Sequence, residues 1–241
     1  MIDLHSHILP GVDDGVRSLA EAEELARAAV ACGVTAIAAT PHVRDDYPTT
    51  PDRMEAGVEG VRHHLARAGV PVDVLVGGEV ALDRLERLPA EDVVRFTLAG
   101  TGRYLLVEFP YYGWPFGLEN QLRRLVGAGI TPLLAHPERN PEVQAEPQRL
   151  ERLLRMGVLA QVTIDSLAGR FGRRARRAAG ALVDLELLHV LASDAHSPGS
   201  YSLSPAELAN AVGNRRLARY LTVEAPAAIA AGEPMPTRPA V

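Results

Sequence analysis

The sequence has almost no cysteine and no excess of positive charge. Its single cysteine, Cys32, lies in a predicted helix, so the chain has neither a disulfide framework nor a thiolate metal cluster. The formal net charge of −5 argues against a general binder of nucleic acids or membrane surfaces. No apolar run reaches membrane-spanning length, and no signal peptide precedes the first motif. We therefore expect a cytoplasmic protein.

Apolar residues make up 47% of the 241 residues, and many of them fall into short runs separated mostly by helical patterns. The runs are rich in Val, Leu and Ile and alternate little, which is typical of strands buried on both faces. Strands that alternate with helices at this spacing predict a parallel α/β fold. The seven runs are Ile2–Leu4, Val34–Ala39, Val72–Val76, Tyr104–Val107, Pro132–Ala135, Val158–Ile164 and Leu187–Ala192.

Several predicted helices begin at recognisable caps. Ser18 and Glu21 have the spacing of a capping box, as do Ser204 and Glu207, and Thr50-Pro51 predicts a cap followed by proline at the first helical position. We see no internal linker and no repeat, so we assign residues 1–232 to one domain. Residues 233–241 are rich in proline and are expected to form a loose tail.

Histidine and acidic residues follow most of the predicted strands. Parallel α/β folds place their sites at the carboxyl ends of strands, and five of the eight histidines lie there. His5 and His7 share one face of an extended backbone. The candidate metal ligands are His5, His7, Asp14, His42, Glu79, Glu108, His136, Asp194 and His196.

These nine donors are imidazoles and carboxylates without sulfur, which suits zinc, iron or manganese. They exceed what one ion needs, so we predict two or three ions that share a bridging carboxylate. Three divalent ions would outweigh the four carboxylates and leave a local positive charge that favours phosphate. Metal-bound water can act as a nucleophile near neutral pH. The pattern therefore predicts a metallophosphoesterase.

The motifs resemble those of the PHP (polymerase and histidinol phosphatase) superfamily: H-x-H at the start, P-H after the second strand, H-P-E-R and S-D-A-H. The longer forms D-L-H-S-H-I-L-P-G-V-D-D-G, A-H-P-E-R-N and A-S-D-A-H are similar to bacterial PHP-type protein-tyrosine phosphatases of capsule and exopolysaccharide operons. The match runs from residue 1 to about residue 231. It implies a distorted (β/α)7 barrel with a site for three divalent ions, manganese being favoured and zinc or iron remaining possible.

The resemblance also implies a role for each ligand. The three implied ligand sets are His5, His7, Glu79 and Asp194; Glu79, Glu108 and His136; and Asp14, His42 and His196. Arg139 would contact the substrate phosphate and, with His42 and Asp14, forms the implied catalytic group. Arg44 is a rival for the phosphate-binding role.

Two departures from the resemblance concern the end of the chain. Relatives often carry Arg-Pro-Pro shortly after the S-D-x-H motif, where this sequence has residues 197–203 without arginine. A second phosphate-binding arginine is therefore missing from its usual place. Relatives also tend to show Asn-Pro where this chain has Ala225-Pro226, which we expect to affect only helix packing.

We predict hydrolysis of phosphotyrosine on a protein, without a cysteinyl-phosphate intermediate. The resemblance implies that the substrate is the C-terminal tail of a bacterial tyrosine kinase. A small-molecule phosphatase of the histidinol-phosphatase type is the alternative enzyme. A metal-bound accessory module without activity is the alternative from another class, although no polymerase accompanies the domain.

Two further segments each have two interpretations. The basic run at residues 169–177 is either a solvated helix face or a surface at the rim of the site that attracts an acidic, tyrosine-rich peptide. Residues 109–116 concentrate aromatic side chains directly after Glu108, in a chain with only 5% aromatic residues. This aromatic loop could stack on a phosphotyrosyl ring or form a hydrophobic lid.

Overall fold

The computed structural model describes residues 1–201 and 203–240 of the chain. Over these residues short parallel strands alternate with helices, which confirms the predicted α/β class. The strands are β1 (Ile2–Ser6), β2 (Ala36–Ala39), β3 (His42–Val43), β4 (Asp73–Leu75), β5 (Glu79–Ala81), β6 (Tyr104–Glu108), β7 (Thr131–Ala135), β8 (Leu159–Thr163) and β9 (Val190–Ala192).

Strands β3 and β5 are short additions to the seven predicted strands. Each follows a predicted strand after a break, at Thr40-Pro41 and at Gly77-Gly78. The described strands therefore form a three-stranded sheet, β1-β2-β4, and a six-stranded sheet, β3-β5-β6-β7-β8-β9. Across the β3–β5 pair, His42 lies opposite Glu79 in the parallel register. The breaks thus bring two candidate ligands side by side.

The first and last strands meet at their carboxyl ends. The N–H of His7 donates to the carbonyl of Ala195 at 2.8 Å, and the N–H of Asp194 donates to the carbonyl of His5 at 2.9 Å. A parallel bridge also joins Ser6 to Ala195. These bonds place the H-x-H motif beside the segment that contains Asp194. Closure of all strands into a complete (β/α)7 barrel stays a prediction.

Helices connect the strands, and several begin where caps were predicted. Their bounds are α1 (Leu19–Ala31), α2 (Pro51–Arg67), α3 (Ala90–Arg95), α4 (Leu118–Gly127), α5 (Pro141–Ala145), α6 (Leu150–Leu154), α7 (Ile164–Ala168), α8 (Gly172–Asp184), α9 (Pro205–Val212), α10 (Arg215–Arg219) and α11 (Ala225–Ala231). A single π-type turn, Tyr220–Glu224, joins α10 to α11. Short 3-10 turns include Pro137–Arg139 and Pro198–Ser200.

The predicted caps of α1, α2 and α9 are confirmed, with one correction. Ser204 and Glu207 form a complete capping box at the start of α9. The hydroxyl of Ser18 accepts from the N–H of Glu21, but the Glu21 carboxylate accepts from the N–H of Arg17 instead of returning to Ser18. The predicted hydrogen bond from the N–H of Ser18 to the Glu21 carboxylate is therefore wrong, because this carboxylate pairs with the Arg17 side chain and backbone.

The core consists of apolar side chains from the strands and the inner faces of the helices. Leu4, Ile37, Leu105 and Leu133 are fully buried within it. Residues 233–240 form no helix or strand, yet their backbone accepts hydrogen bonds from buried tyrosines. One of these bonds joins the Tyr104 hydroxyl to the carbonyl of residue 233 at 2.6 Å. Among the described residues, no helix has the length and apolar character needed to span a bilayer.

Candidate metal centre

His5 lies in β1 and His7 directly follows it, and their Nε2 atoms are only 3.3 Å apart. Each ring is oriented by a hydrogen bond at its other nitrogen. Nδ1 of His5 lies 2.9 Å from Oε1 of Gln161, and Nδ1 of His7 lies 2.7 Å from Oδ2 of Asp13. A proton on Nδ1 leaves the Nε2 lone pair directed toward the same space, which is how ligand histidines are usually held.

Glu79 lies at the centre of the cluster and is fully buried. Its Oε2 is 3.3 Å from Nε2 of His5, 3.5 Å from Nε2 of His7 and 2.9 Å from Nδ1 of His42. Its Oε1 is 2.9 Å from Nε2 of His136. One carboxylate thus faces four imidazoles with its two oxygens, an arrangement that would allow it to bridge two ions.

The remaining donors surround this centre. Asp194 Oδ1 lies 3.2 Å from the Nε2 atoms of both His5 and His7. Asp14 is half exposed at the mouth, with Oδ1 3.4 Å from Nε2 of His196 and 3.5 Å from Nε2 of His42. The structure therefore brings all nine predicted ligands into one cluster at the carboxyl ends of the strands.

Four overlapping groups of donors within this cluster could each hold an ion. Within each group, one ligand atom per residue lies within 4.8 Å of the others. The groups are His5, His7 and Asp194; His5, Glu79 and His136; His42, Glu79 and Glu108; and His7, Asp14, His42 and His196. Glu79 is shared by two groups. In these groups Glu108 lies with His42, whereas the resemblance implied that it shares an ion with His136.

The donors fit divalent ions by two observations. Ligands bonded at about 2.1 Å lie roughly 3.0–3.4 Å from one another, close to the spacings found here. Moreover, Oε2 of Glu79 and Nδ1 of His136 are buried and have no hydrogen-bond partner among the described residues. The same holds for Nδ1 of His42, which approaches Glu79 without hydrogen-bond geometry. Buried polar atoms left in this state indicate a cation site.

The electrostatics of the cluster point the same way. Burial opposes protonation of His5, but the carboxylates of Glu79 and Asp194 outweigh it and raise its pKa to about 9. Burial also acts against ionisation of Asp194, yet His5 and His7 hold the pKa of that carboxyl well below its usual range. Burial and the neighbouring Glu79 raise the pKa of Glu108. A field that draws protons onto imidazoles also draws divalent cations, with which protons compete.

Two ligands have unusual backbone conformations. His136 has a φ of 37° and Asp194 a φ of 53°, both in the left-handed region that non-glycine residues rarely adopt. Such residues cost on the order of 1–3 kcal/mol each and cluster at functional sites. His136 directly follows β7 and Asp194 follows β9 after one residue, so each turn aims its side chain back toward Glu79 and His5.

Arg139 lies at the edge of the cluster, in the turn after His136. Its Nη2 is 2.7 Å from Oδ2 of Asp194 and donates to Oγ1 of Thr163 at 3.2 Å. Its guanidinium lies 3.8 Å from the centre of the Phe171 ring. Arg139 therefore holds a ligand carboxylate in place and is itself 12% exposed at the side chain.

The rival arginine, Arg44, lies on the other side of the rim. Its Nη1 is 2.9 Å from Oε1 of Glu108, and its Nε is 2.8 Å from Oδ1 of Asp46. Two tyrosines lie near these groups. The ring of Tyr47 stacks on His42, and the ring of Tyr111 stacks on His136.

Comparison with known protein families gives a match over most of the chain. The sequence profile of a family described as capsular polysaccharide synthesis, CpsB/CapC, matches residues 1–221. The chain belongs to this CpsB/CapC family. The resemblance stated from the motifs is thereby confirmed.

The CpsB/CapC relatives are similar over most of their length. Tyrosine-protein phosphatase YwqE of Bacillus subtilis is 36% identical over 200 residues, which cover 82% of this chain and 78% of the relative. Tyrosine-protein phosphatase CpsB of Streptococcus agalactiae is 31% identical over 209 residues, covering 82% and 83%. A crystal structure from work on YwqE of Bacillus subtilis and CpsB of Streptococcus pneumoniae, described as unique metal-dependent tyrosine phosphatases, covers 100% of both chains with 31% identity and a TM-score of 0.86.

Sequence reasoning missed the residues that orient the ligands. The Asp13 carboxylate lies 2.7 Å from Nδ1 of His7 and accepts a hydrogen bond from the N–H of His42. Gln161 contacts His5, and Thr163 accepts a hydrogen bond from Arg139. Their period-two spacing on β8 puts both on one face, which was the available signal.

Gly15 offers a test of how tightly the first motif is packed. A Cβ at Gly15 would lie 2.2 Å from the carbonyl oxygen of His7 and 2.5 Å from its Cβ. We expect Gly15→Ala to displace the Asp13-Asp14 segment, lower the free energy of unfolding by roughly 1–3 kcal/mol and lower the metal content. Elemental analysis measures the metal content, and thermal unfolding measures the change in stability.

A matched glycine provides the control. Gly60 lies in α2 with nothing within 4 Å of an added Cβ. Gly60→Ala should keep the metal content and raise stability by about 0.5–1 kcal/mol. If Gly15→Ala keeps its metal as well as Gly60→Ala does, the close approach to His7 does not position the ligands.

Proposed function

We propose that this chain is a metal-dependent protein-tyrosine phosphatase. The observation that carries the proposal is the cluster of nine nitrogen and oxygen donor residues centred on the buried Glu79, with Arg139 at its edge. The names of the CpsB/CapC relatives support the same reaction and favour it over a histidinol-phosphatase type of enzyme and over a silent accessory module.

We propose three divalent ions, manganese among the candidate metals, with Glu79 as the shared ligand. Bound ions would supply Lewis acidity for phosphoryl oxygens and a water that ionises near neutral pH. The chain's own residues orient this site. Gln161 and Asp13 hold His5 and His7, and Arg139 can pair with a phosphate oxygen while it retains Asp194.

The surface beside the cluster suits an aromatic leaving group. A cavity of 440 Å³ adjoins Glu108 and is lined by Leu82, Tyr111 and Phe116 among others. Phe116 is fully exposed, and such an exposed aromatic ring can contact an apolar group of a substrate. We therefore place the phenyl ring of phosphotyrosine against the aromatic loop at residues 109–116.

Metal dependence without thiol dependence is the first test. Cys32 lies away from the cluster in a small cavity with Tyr201, and burial raises the pKa of its thiol. We expect a strong chelator to lower kcat by about 10³-fold or more and Mn²⁺ to restore it. Cys32→Ser should keep near-normal turnover. Loss of activity in folded Cys32→Ser would contradict the mechanism.

Substrate choice is the second test. We expect phosphotyrosine peptides to have a higher kcat/KM than phosphoserine peptides or histidinol phosphate, because the aromatic loop lies directly beside Glu108. Steady-state kinetics on the three substrates measure this. A preference for histidinol phosphate would transfer the proposal to the small-molecule alternative.

The proposed physiological substrate is a protein. A phosphotyrosyl protein, with the C-terminal tail of a bacterial tyrosine kinase as the specific candidate, would present the phenyl phosphate to this open rim. The cytoplasmic location expected from the sequence stays a prediction. Release of phosphate from a purified, autophosphorylated kinase tail would test the candidate directly.

A further inference from the structure

Helix α8 begins with a basic surface that the proposed chemistry does not use. Arg173, Arg174, Arg176 and Arg177 occupy its first two turns, and all four are exposed. Within residues 1–201 and 203–240, these four side chains form no ion pair and no hydrogen bond. Nothing in the described part of the chain therefore neutralises them.

The four arginines destabilise the start of α8. The first turn of a helix carries the positive end of its dipole, where cations are unfavourable. Arg173 and Arg177 are four residues apart, and Arg174 and Arg177 are three apart, so like charges also lie next to each other. The first turn of α8 contains no acidic residue to offset them. Acidic groups from a partner would relieve this repulsion.

Three of the arginines converge on one cavity. Arg173, Arg174 and Arg177 line a space of 550 Å³ that is completed by Pro141, Gln144 and Ala145 of α5. Guanidinium groups gathered around a concave surface can bind carboxylates or phosphates in pairs of hydrogen bonds. The concave lining distinguishes this feature from a flat solvated helix face.

The cavity is connected to the metal centre through Arg139. Gln144, which lines the cavity, donates its Nε2 hydrogens to the carbonyls of Glu138 and Arg139 at 3.0 and 3.2 Å. Phe171, directly before α8, stacks on the Arg139 guanidinium. The turn that carries Arg139 therefore borders both the metal centre and the wall of the cavity.

We propose that this arginine cavity is a substrate subsite that binds an acidic segment of the phosphotyrosyl protein. The proposal rests on the proposed function, because it assigns the cavity to the same substrate. The chain as a whole carries a net charge of −5, so attraction of an acidic peptide depends on this local patch and not on the overall charge.

The test compares two phosphotyrosine peptides of equal length, one with Asp and Glu beside the phosphotyrosine and one with Asn and Gln. We expect the metal-loaded wild-type chain to prefer the acidic peptide, mainly through KM, and to lose part of the preference in high salt. The double substitution Arg173→Gln and Arg177→Gln should lower the acidic-over-neutral ratio of kcat/KM by about 3- to 10-fold. Arg174→Glu with Arg177→Glu should reverse the preference.

The control removes two exposed arginines elsewhere. Arg215 and Arg216 lie on α10, which packs against α9, and form no ion pair within the described residues. Arg215→Gln with Arg216→Gln should keep the wild-type ratio. The subsite is overturned if this control lowers the ratio equally, or if the α8 variants keep it. If the wild type hydrolyses neither peptide nor a small aryl phosphate, the proposed function fails and the subsite with it.

Discussion

Replacing Glu79 by alanine is expected to remove more than one metal ion per chain and to lower kcat/KM for an aryl phosphate by roughly 10³-fold or more. Glu79 is fully buried and faces four imidazoles, and it belongs to two of the four donor groups. Loss of its carboxylate would leave these imidazoles around an unoccupied space. Elemental analysis after dialysis, together with kinetics, measures both effects.

Glu79→Gln separates the ligand role from packing. Glutamine keeps the volume and one carbonyl oxygen but removes the charge that holds His5 and His7 together. We expect Glu79→Gln to lose metal nearly as completely as Glu79→Ala, with a smaller loss of thermal stability. If Glu79→Ala loses one ion or fewer, the carboxylate does not bridge, and the proposed nuclearity is wrong.

The sequence predicted the location of this site because the ligands follow recognisable strands. His5 and His136 come directly after apolar runs, Asp194 comes one residue after another, and the carboxyl ends of parallel strands meet at one edge. The composition of the donors, without sulfur, also predicted the class of metal. This part of the site depends on local pattern, which a sequence displays.

The pairing of His42 with Glu79 could not be predicted from the pattern of apolar runs. Strands β3 and β5 have only two and three residues, too few to show an apolar run. Their register depends on close packing, since a Cβ at Gly78 would lie 2.6 Å from a ring carbon of Phe96. Such contacts between distant segments cannot be derived from periodicity.

The orienting hydrogen bonds were hidden for the same reason. Gln161 contacts His5 across 156 positions of sequence. Arg139, after β7, contacts Asp194, after β9, although β8 lies between these two strands in the sheet. A basic residue near a predicted metal ligand suggests a phosphate contact, but only the fold reveals that the same guanidinium also holds a ligand carboxylate. The structure shows that Arg139 holds Asp194, and its contact with phosphate stays a proposal.

Replacing Arg139 by alanine should lower kcat/KM by about 10²–10³-fold, the usual effect of removing a donor that stabilises transition-state charge. Arg139→Lys should recover only part of the loss, because an ammonium cannot pair bidentately with phosphate. Oδ1 of Asp194 would still face His5 and His7, so we expect the metal content to fall by less than one ion per chain.

Two further variants distinguish contact with phosphate from positioning. Phe171→Ala removes the ring beneath Arg139 and should cost only about 2- to 5-fold, as expected for an exposed cation–π contact. Arg44→Ala removes the rival guanidinium beside Glu108. If Arg44→Ala is the damaging change while Arg139→Ala is nearly silent, the phosphate is held from the Arg44 side of the rim, and Arg139 serves only to position Asp194.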